Sequence, residues 1–267
     1  MASFRILTHG GASSPTAHSD GTLAAAETGG VALRSGGSVA RAAAAAVVVL
    51  EGDRRFNAGL GSSLRSDGKT IQMDASLMAS GESGVPAFGA VACLEKTQNP
   101  ILAAEALCTV GLRILCGEGA LAFARAECLP EADAFTEEAR KRFGEERPTT
   151  DTVGSVVTDG VNFAAALSSG GLTASPIGRI GDVPLPGCGL YAGKSGAVAF
   201  TGVGEEIARR CAALRAYQLL EEGAQAPAVL EIVREWFGDI EFGCLLLGRT
   251  SYAAGSNREM AWSVLSS

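Results

Sequence analysis

Glycine divides this chain into short segments, and this division limits the folds that the chain can adopt. The 267 residues include 35 glycines, many of them clustered in strings such as HGGA at residues 9–12 and RRFNAGLGSS at residues 54–63. Between the clusters, apolar runs of strand length alternate with alanine-rich runs that favour helices. Strands in pairs that are separated by paired helices predict an α+β layered fold, in which sheets pack face to face and helices cover both outer faces.

The pattern also predicts where the main segments lie. Strands are expected at residues 4–7, 71–78, 88–94, 243–247 and 260–264. Helices are expected in two alanine-rich stretches that end near Leu50, from Asn99-Pro100 onward, and at residues 205–220 and 227–237. Breaks in the alanine-rich stretches are expected at glycines 29, 30, 36 and 37.

A charged segment separates the two halves of the chain. Residues 130–150 carry many charged and few apolar side chains, which predicts a linker. Directly after it, two strands are predicted on either side of Asp159-Gly160, a dipeptide that favours tight hairpins because it tolerates positive φ. Thr152 would open the first of these strands.

Composition excludes several kinds of partner. The 47% hydrophobic content suffices for a sizeable core in one domain. The net charge of -7 argues against nucleic acid, because phosphate binding needs clustered basic residues and the 22 here are scattered. No apolar run is long enough to span a membrane. Seven cysteines without CxxC spacing indicate neither a disulfide framework nor a zinc site, so a protein of the reducing cytoplasm is expected.

The two histidines, His9 and His18, leave few bases for a Ser-His-Asp or Cys-His arrangement, and His18 lies in a polar stretch that is predicted to be exposed. A threonine can supply its own base when it becomes the first residue of a new chain, because a free α-amine titrates at about 7.7–8.0. The junction between Asp151 and Thr152 is the candidate cleavage site, since a charged linker ends there at a buried strand. Spacing alone also fits a β-branched residue that simply begins a strand.

Several strings, in order, resemble the plant-type asparaginase and isoaspartyl peptidase family of N-terminal nucleophile hydrolases. They are HGGA, FNAGLGSSLRSDGKTIQMDASLM, FGAV, TDTVGSVV, SSGG, GRIGDVPLPGCGLYA, TGVGE and SNREMAW, which together cover nearly the whole chain. The resemblance implies a four-layer αββα sandwich formed by a single domain of residues 1–267. It further implies that the chain cuts itself into an α subunit, 1–151, and a β subunit, 152–267.

The resemblance also assigns catalytic roles. Thr152 would be the nucleophile, with its own α-amine as the general base. Ser169 would supply a second hydroxyl where the family normally has threonine. Thr201 and Gly202 match the family's oxyanion hole, and Asn57 matches a residue close to the nucleophile.

For the substrate, the resemblance implies an L-aspartyl group whose α-carboxylate is held by Arg179 and whose α-amine is held by Asp182, although such a pair alone would also fit a surface salt bridge. The implied substrate-binding residues are Arg179, Ile180, Gly181, Asp182, Thr201, Gly202, Val203 and Gly204. The implied reaction is hydrolysis of L-asparagine and β-aspartyl dipeptides to L-aspartate through a β-aspartyl-enzyme ester, without an organic cofactor.

The family's structural sodium ion and dimer of αβ units are carried over in the same way. The backbone carbonyls that would bind sodium here are those of Leu50, Glu51, Asp53, Phe56, Ala58 and Leu60. Carbonyl ligands leave no side-chain pattern, so the segment also fits a plain surface loop.

Three other interpretations remain. SSGG and LTASPIGR resemble the threonine aspartase branch, an endopeptidase, although Asp182 suits a free α-amine better than a peptide nitrogen. Glycosylasparaginases share the Asp-Thr junction and the GRxGD string but carry asparagine where this chain has Gly170. An unprocessed, non-catalytic homologue is the third, suggested by Ser169 and the short linker.

Overall fold

The computed structural model describes residues 3–81, 84–110, 112–134, 136–144 and 152–267. Its helices are α1 (Ser19–Arg34), α2 (Val39–Gly52), α3 (Pro100–Leu107), α4 (Gly117–Ala126), α5 (Glu137–Phe143), α6 (Gly204–Arg210), α7 (Ala212–Glu221) and α8 (Ala226–Phe237). Its strands are β1 (Arg5–His9), β2 (Met73–Ala79), β3 (Ala87–Leu94), β4 (Ile114–Cys116), β5 (Val153–Thr158), β6 (Phe163–Ser169), β7 (Leu190–Gly193), β8 (Gly196–Gly202), β9 (Phe242–Gly248), β10 (Tyr252–Ser256) and β11 (Trp262–Ser266).

The strands form two sheets in a mixed α and β structure. The first has the order β11-β1-β5-β6-β2-β3-β4 and the second the order β10-β9-β8-β7. Neighbouring strands in both sheets run antiparallel, except that β3 and β4 run parallel.

Both faces of the central strands are buried, because successive side chains of a strand point to opposite faces of the sheet. Between the two sheets lies a core that includes Leu7, Val156, Leu167, Leu190 and Leu245. Between the first sheet and α2 lies a core that includes Ile6, Val157, Ala166, Ala42 and Val47. Between the second sheet and helices α7 and α8 lies a core that includes Val198, Phe200, Leu246, Ala216 and Val233.

The predicted strand pair at Asp159-Gly160 is confirmed as β5 and β6, and the helix predicted at Asn99-Pro100 is confirmed as α3. Thr152 does not open β5 but directly precedes it. Among the described residues, no helix combines the length and apolar character needed to cross a bilayer.

The expected breaks at Gly29 and Gly30 are wrong, because both residues lie inside α1. Their role is close packing. A methyl group at Gly29 would lie 2.9 Å from the carbonyl oxygen of Ala42, and one at Gly30 would lie 2.7 Å from a methyl carbon of Leu265. The alanine-rich α2 and strand β11 therefore approach α1 more closely than larger residues would allow.

Two further segments differ from the sequence-based expectation. The helix predicted at 205–220 is divided into α6 and α7 at Cys211, which has a left-handed φ of 47°. The predicted linker at 130–150 contains helix α5. Residues 145–151, with Asp151 at the candidate cleavage site, lie outside the described residues.

Candidate active site

A cavity of about 310 Å³ is lined by residues at the ends of strands from both sheets. Of the residues predicted from the sequence, it is lined by Thr152, Ser169, Arg179, Gly181, Asp182, Gly202, Val203 and Gly204. Asn57, Ile180 and Thr201 do not line it. Residues that are far apart in the chain therefore meet at one site.

Strand register explains why the two candidate hydroxyls are neighbours. Val153 of β5 pairs with Ser168 of β6, so the same register places Thr152 opposite Ser169. On the other side of β6, Ser169 pairs with Asp74 of β2. Residues that are directly opposite share a face of the sheet. The side chains of Asp74, Ser169 and Thr152 thus form a row on the face that meets the second sheet, and each is about 95% buried or more.

Thr201 and Gly202 are the last two residues of β8, and Gly202 lines the same cavity as Asp74, Ser169 and Thr152. The side chain of Thr201 is fully buried, and its hydroxyl oxygen accepts a hydrogen bond of 3.0 Å from the backbone N–H of Ala12. Gly202 has a φ of 133°, a conformation that side chains disfavour, and the carbonyl of Glu241 occupies the position that a methyl group would need. The HGGA turn therefore positions the predicted oxyanion-hole threonine.

Arg179 lines the cavity, and one edge of its guanidinium forms hydrogen bonds with Glu205. Its Nε and Nη2 atoms donate to the carboxylate oxygens of Glu205 at 2.9 and 2.7 Å. The side chain of Arg179 is mostly buried, whereas that of Glu205 is 57% exposed. Hydrogen bonding to Arg179 lowers the pKa of Glu205, so the pair is ionised at neutral pH.

Asp182 carries an unused acceptor. The residue is 4% exposed, and its Oδ2 atom has no hydrogen-bond partner among the described residues. Burial raises the pKa of Asp182 to about 7, although the nearby Arg179 opposes this shift. Methyl groups at Gly204 and Gly189 would lie 2.8 and 2.7 Å from its carboxylate oxygens, so only glycine leaves room there. An ammonium group could donate a hydrogen bond to this oxygen and balance the charge of the carboxylate.

Asn57 lies behind the cavity and holds the turn after β6. Its side-chain N–H donates to the carbonyl of Gly171 at 2.8 Å, and its backbone carbonyl accepts from the N–H of Gly170 at 2.8 Å. The hydroxyl oxygen of Ser169 accepts from the N–H of Gly171 at 3.0 Å. Asn57 therefore acts on Ser169 through the backbone. Ile180 is 41% exposed and does not line the cavity.

Sequence reasoning gave no role to Asp74 or Glu205, and both line the cavity. Asp74 is 1% exposed and accepts a hydrogen bond of 2.8 Å from the N–H of Cys93. Burial raises its pKa, while hydrogen bonds from the backbone of Cys93 and Gly181 oppose the rise. A carboxylate within the mostly apolar run of β2 is the signal that could have identified it.

Neither histidine provides a base at this site. Burial lowers the pKa of His9 to about 3, which makes its neutral ring a weak base, and the ring packs against Gly154. His18, which was predicted to be exposed, is half-buried and contacts the ring of Phe56 edge-on, with the ring centroids 6.0 Å apart.

The segment predicted to bind sodium wraps around the end of α2. Its carbonyls at Leu50, Asp53, Phe56 and Ala58 each accept a backbone hydrogen bond within the segment, from Asp53, Phe56, Ala58 and Gly61 respectively. The side chain of Glu51 is fully buried and accepts hydrogen bonds from Asn99 and Ile101. The segment is thus a hydrogen-bonded turn that is buried at residues 50, 51 and 56–59 and exposed at residues 52, 54 and 55.

Fold and cavity define the class of this protein, a hydrolase with a mixed α and β fold. A cavity that combines hydroxyl groups with an arginine and a carboxylate suits the hydrolysis of a substrate that carries both charges. The family model described as Asparaginase matches residues 4–151 and 143–240, and the chain belongs to this family.

Curated relatives agree with this assignment. Isoaspartyl peptidase/L-asparaginase of Macaca fascicularis is 38% identical in an alignment that covers 76% of this chain and 72% of the relative. The protein of the same name from Homo sapiens has the same identity and coverage. Plant-type L-asparaginase of Pyrococcus furiosus is 32% identical in an alignment that covers 91% of this chain and 89% of the relative.

Proposed function

We propose that this protein hydrolyses the side-chain amide of L-asparagine and the isopeptide bond of β-aspartyl dipeptides, releasing L-aspartate. The observation that carries the proposal is a buried carboxylate oxygen of Asp182 that has no partner in the described part of the chain. It lies beside Arg179, in the same cavity as Thr152. An L-aspartyl group presents one ammonium and one carboxylate, which this pair complements. The names of the relatives, isoaspartyl peptidase/L-asparaginase and plant-type L-asparaginase, support the same substrates.

In the proposed reaction, the hydroxyl of Thr152 attacks the β-carbonyl, and the α-amine of Thr152 accepts the proton. That amine becomes available when the chain cuts itself between Asp151 and Thr152. Thr201 and Gly202 stabilise the oxyanion of the tetrahedral intermediate. Ammonia or an amino acid leaves, and water then hydrolyses the β-aspartyl ester to release L-aspartate.

The row of Asp74, Ser169 and Thr152 supports the role of Thr152 as the nucleophile. Ser169 lies opposite Thr152, where its hydroxyl can orient the nucleophile, and Asn57 fixes the turn that carries it. Asp182 also favours small substrates over an endopeptidase role, because an amide-linked nitrogen offers no positive charge to a buried carboxylate.

Several further features belong to this proposal. We place the chain as a single domain in the four-layer αββα class of N-terminal nucleophile hydrolases, which the three cores support. Mature subunits 1–151 and 152–267 would associate further as a dimer of αβ units. All seven cysteines are free, which supports a cytoplasmic setting.

The proposal includes a structural sodium ion at the last turn of α2 and the turn that follows it. Backbone carbonyls at Leu50, Glu51, Asp53, Phe56, Ala58 and Leu60 are hard oxygen ligands of the type that sodium accepts. The C-terminal end of a helix carries a partial negative charge, which favours a cation there. The ion would stiffen the segment that carries Asn57 and take no part in the chemistry.

Intact-mass spectrometry of purified protein over time, together with assays on L-asparagine and a β-aspartyl dipeptide, tests the proposal. Wild type is expected to yield two fragments that meet between residues 151 and 152, and to hydrolyse both substrates. Thr152→Ala is expected to remain one chain and to be inactive. Thr158→Ala, a change of an equally buried threonine at the far end of β5, controls for misfolding. An uncut, inactive wild type would leave the non-catalytic homologue as the better interpretation.

A further inference from the structure

Cys188 and Cys211 meet at one backbone carbonyl. The thiol of Cys188 lies 3.8 Å from the carbonyl oxygen of Ala208, which also accepts the N–H of Cys211 at 3.0 Å. Two residues farther along, the N–H of Ala213 donates to the carbonyl of Cys188 at 3.1 Å. These contacts join the loop that carries Cys188 to the junction of α6 and α7.

The two thiols differ in ways that suit a dithiol pair. Cys211 is exposed, so it can meet a reagent from solvent, and its left-handed φ of 47° places it at a break between helices. Cys188 is 9% exposed. Burial raises the pKa of Cys188 to about 11, and a hydrogen bond with Cys211 contributes to this rise. Cys211 is thus the thiol that would attack a reagent, and Cys188 the thiol that would resolve the product.

The loop that carries Cys188 and helix α6, which meet at this junction, are both connected to residues that line the cavity. The loop with Cys188 follows Asp182, and the N–H of Gly189 donates to the backbone carbonyl of Asp182 at 3.2 Å. Helix α6, which ends before Cys211, begins at Gly204 and carries Glu205, the ion-pair partner of Arg179. A covalent link at the junction would therefore act on the residues that face the substrate's charged groups.

We propose that Cys188 and Cys211 are a modification site at which a low-molecular-weight disulfide forms an intramolecular disulfide bond. The thiolate of Cys211 attacks the reagent disulfide, which expels one thiolate and leaves a mixed disulfide on Cys211. Cys188 gives its proton to the released thiolate, attacks the sulfur of Cys211 and expels the second thiolate, which takes up the proton that Cys211 lost. The protein loses two hydrogen atoms, and the reagent gains them as two thiols.

The bond changes substrate binding because its sulfur atoms must approach to about 2.05 Å, which moves the Cys188 loop against the end of α6. Thr152 directly precedes β5, which lies in the other sheet, and keeps its place. This consequence rests on the proposed function. The oxidised enzyme is expected to have a KM at least about fivefold higher, at the lower end of usual coupling between sites, with little change in kcat.

Purified enzyme is incubated with glutathione disulfide or dithiothreitol, and its peptides are mapped without reduction. The expected product is a peptide cross-linked between residues 188 and 211, with a mass decrease of about 2 Da that dithiothreitol reverses. Cys211→Ser should abolish both the cross-link and the change in KM. Cys128→Ser is the matched control, because Cys128 is also exposed and left-handed at the end of a helix, with a φ of 55°.

Absence of the cross-linked peptide would overturn the proposed site. A cross-link that leaves KM unchanged would overturn its coupling to the cavity. A chain that forms the cross-link but hydrolyses neither substrate would support the modification site while rejecting the proposed function.

Discussion

Glu205 holds Arg179 by the Nε and Nη2 edge of the guanidinium, at 2.9 and 2.7 Å. A guanidinium group has a second hydrogen-bonding edge, which includes the Nη1 atom and is not the edge that contacts Glu205. A substrate carboxylate that enters the cavity can therefore meet a guanidinium whose orientation is already fixed. Glu205 acts as a positioning residue and leaves the charge of Arg179 available.

Glu205→Ala should raise KM by up to about fivefold with little change in kcat, because a partly exposed ion pair contributes about 0.2–1 kcal/mol. Arg179→Ala should raise KM by about 10- to 100-fold, since it removes a charge-assisted hydrogen bond worth about 1.5–3 kcal/mol. Steady-state kinetics with L-asparagine measure both. Glu131→Ala is the matched control, because Glu131 pairs with Arg125 through the same two-point geometry away from this cavity. A lower KM for Glu205→Ala would instead identify Glu205 as a competitor of the substrate.

Asp74 is expected to hold the loop between Arg179 and Asp182 through the backbone of Gly181. Asp74→Asn keeps one acceptor for Cys93 but presents an N–H₂ group to a backbone N–H. KM should rise by about 10-fold or more, because hydrogen bonds to a charged group contribute about 1.5–3 kcal/mol.

Asp67→Asn is the control for this change, since Asp67 also accepts backbone N–H groups, from Lys69 and Thr70, but is exposed. Equal kinetic effects of the two changes would argue against a positioning role for Asp74. Loss of folding in Asp74→Asn, seen by circular dichroism, would be distinguished by testing Asp74→Glu, which restores the charge.

Asp182 should make catalysis fail in acid. Burial raises the pKa of its carboxyl from 3.8 to about 7, so the charged form that binds an ammonium group prevails only above that pH. As the pH falls through about 7, the carboxyl gains a proton and kcat/KM decreases. The neutral α-amine of Thr152 also takes up a proton over a similar range, with a pKa of about 7.7–8.0 when unperturbed.

The logarithm of kcat/KM for wild type should therefore fall with a slope of about two below pH 7, and that of Asp182→Asn with a slope of about one. Asp182→Asn should also have a much higher KM. A slope that is unchanged in this variant would exclude Asp182 as the titrating group. Asp159→Asn, in the hairpin turn between β5 and β6, serves as a control.

The sequence predicted the strand pair β5 and β6 because both strands are apolar on both faces and flank a turn dipeptide. It failed at β7 and β10, which are short and rich in alanine and glycine, residues with weak strand preference. It also failed at Cys211, because the sequence around it continues an amphipathic helix pattern, and only packing imposes the left-handed break.

For the site, spacing alone could not bring Arg179 or Asp182 to Thr152. Motif resemblance supplied that grouping, and the register between β5 and β6 gives it a physical reason. Glu205 and Asp74 received no role because a surface glutamate and a strand aspartate look ordinary until their partners are known. Contacts between distant segments carry this information, and local patterns do not.

The turn after α2 offers a test of the sodium proposal that does not depend on activity. Gly59 has a φ of 52°, and the carbonyl of Glu51 occupies the space that a methyl group at Gly59 would need. Gly52, at the end of the same helix, has no atom within 4 Å of such a methyl group. Gly59→Ala should displace the carbonyl of Glu51, a proposed sodium ligand, whereas Gly52→Ala should not. Comparing the two variants therefore distinguishes loss of a ligand from a general effect of alanine in this segment.

Sodium chloride should raise the Tm of wild type above its value in choline chloride at equal ionic strength. Binding to the native state alone stabilises it by about 2.7 kcal/mol when the ion exceeds its Kd about 100-fold. Gly59→Ala should lower the Tm in both salts, because it strains the backbone, but it should also reduce the difference between them. Gly52→Ala should retain that difference. Equal Tm values of wild type in the two salts would reject sodium binding, since screening acts alike in both and only a bound ion separates them.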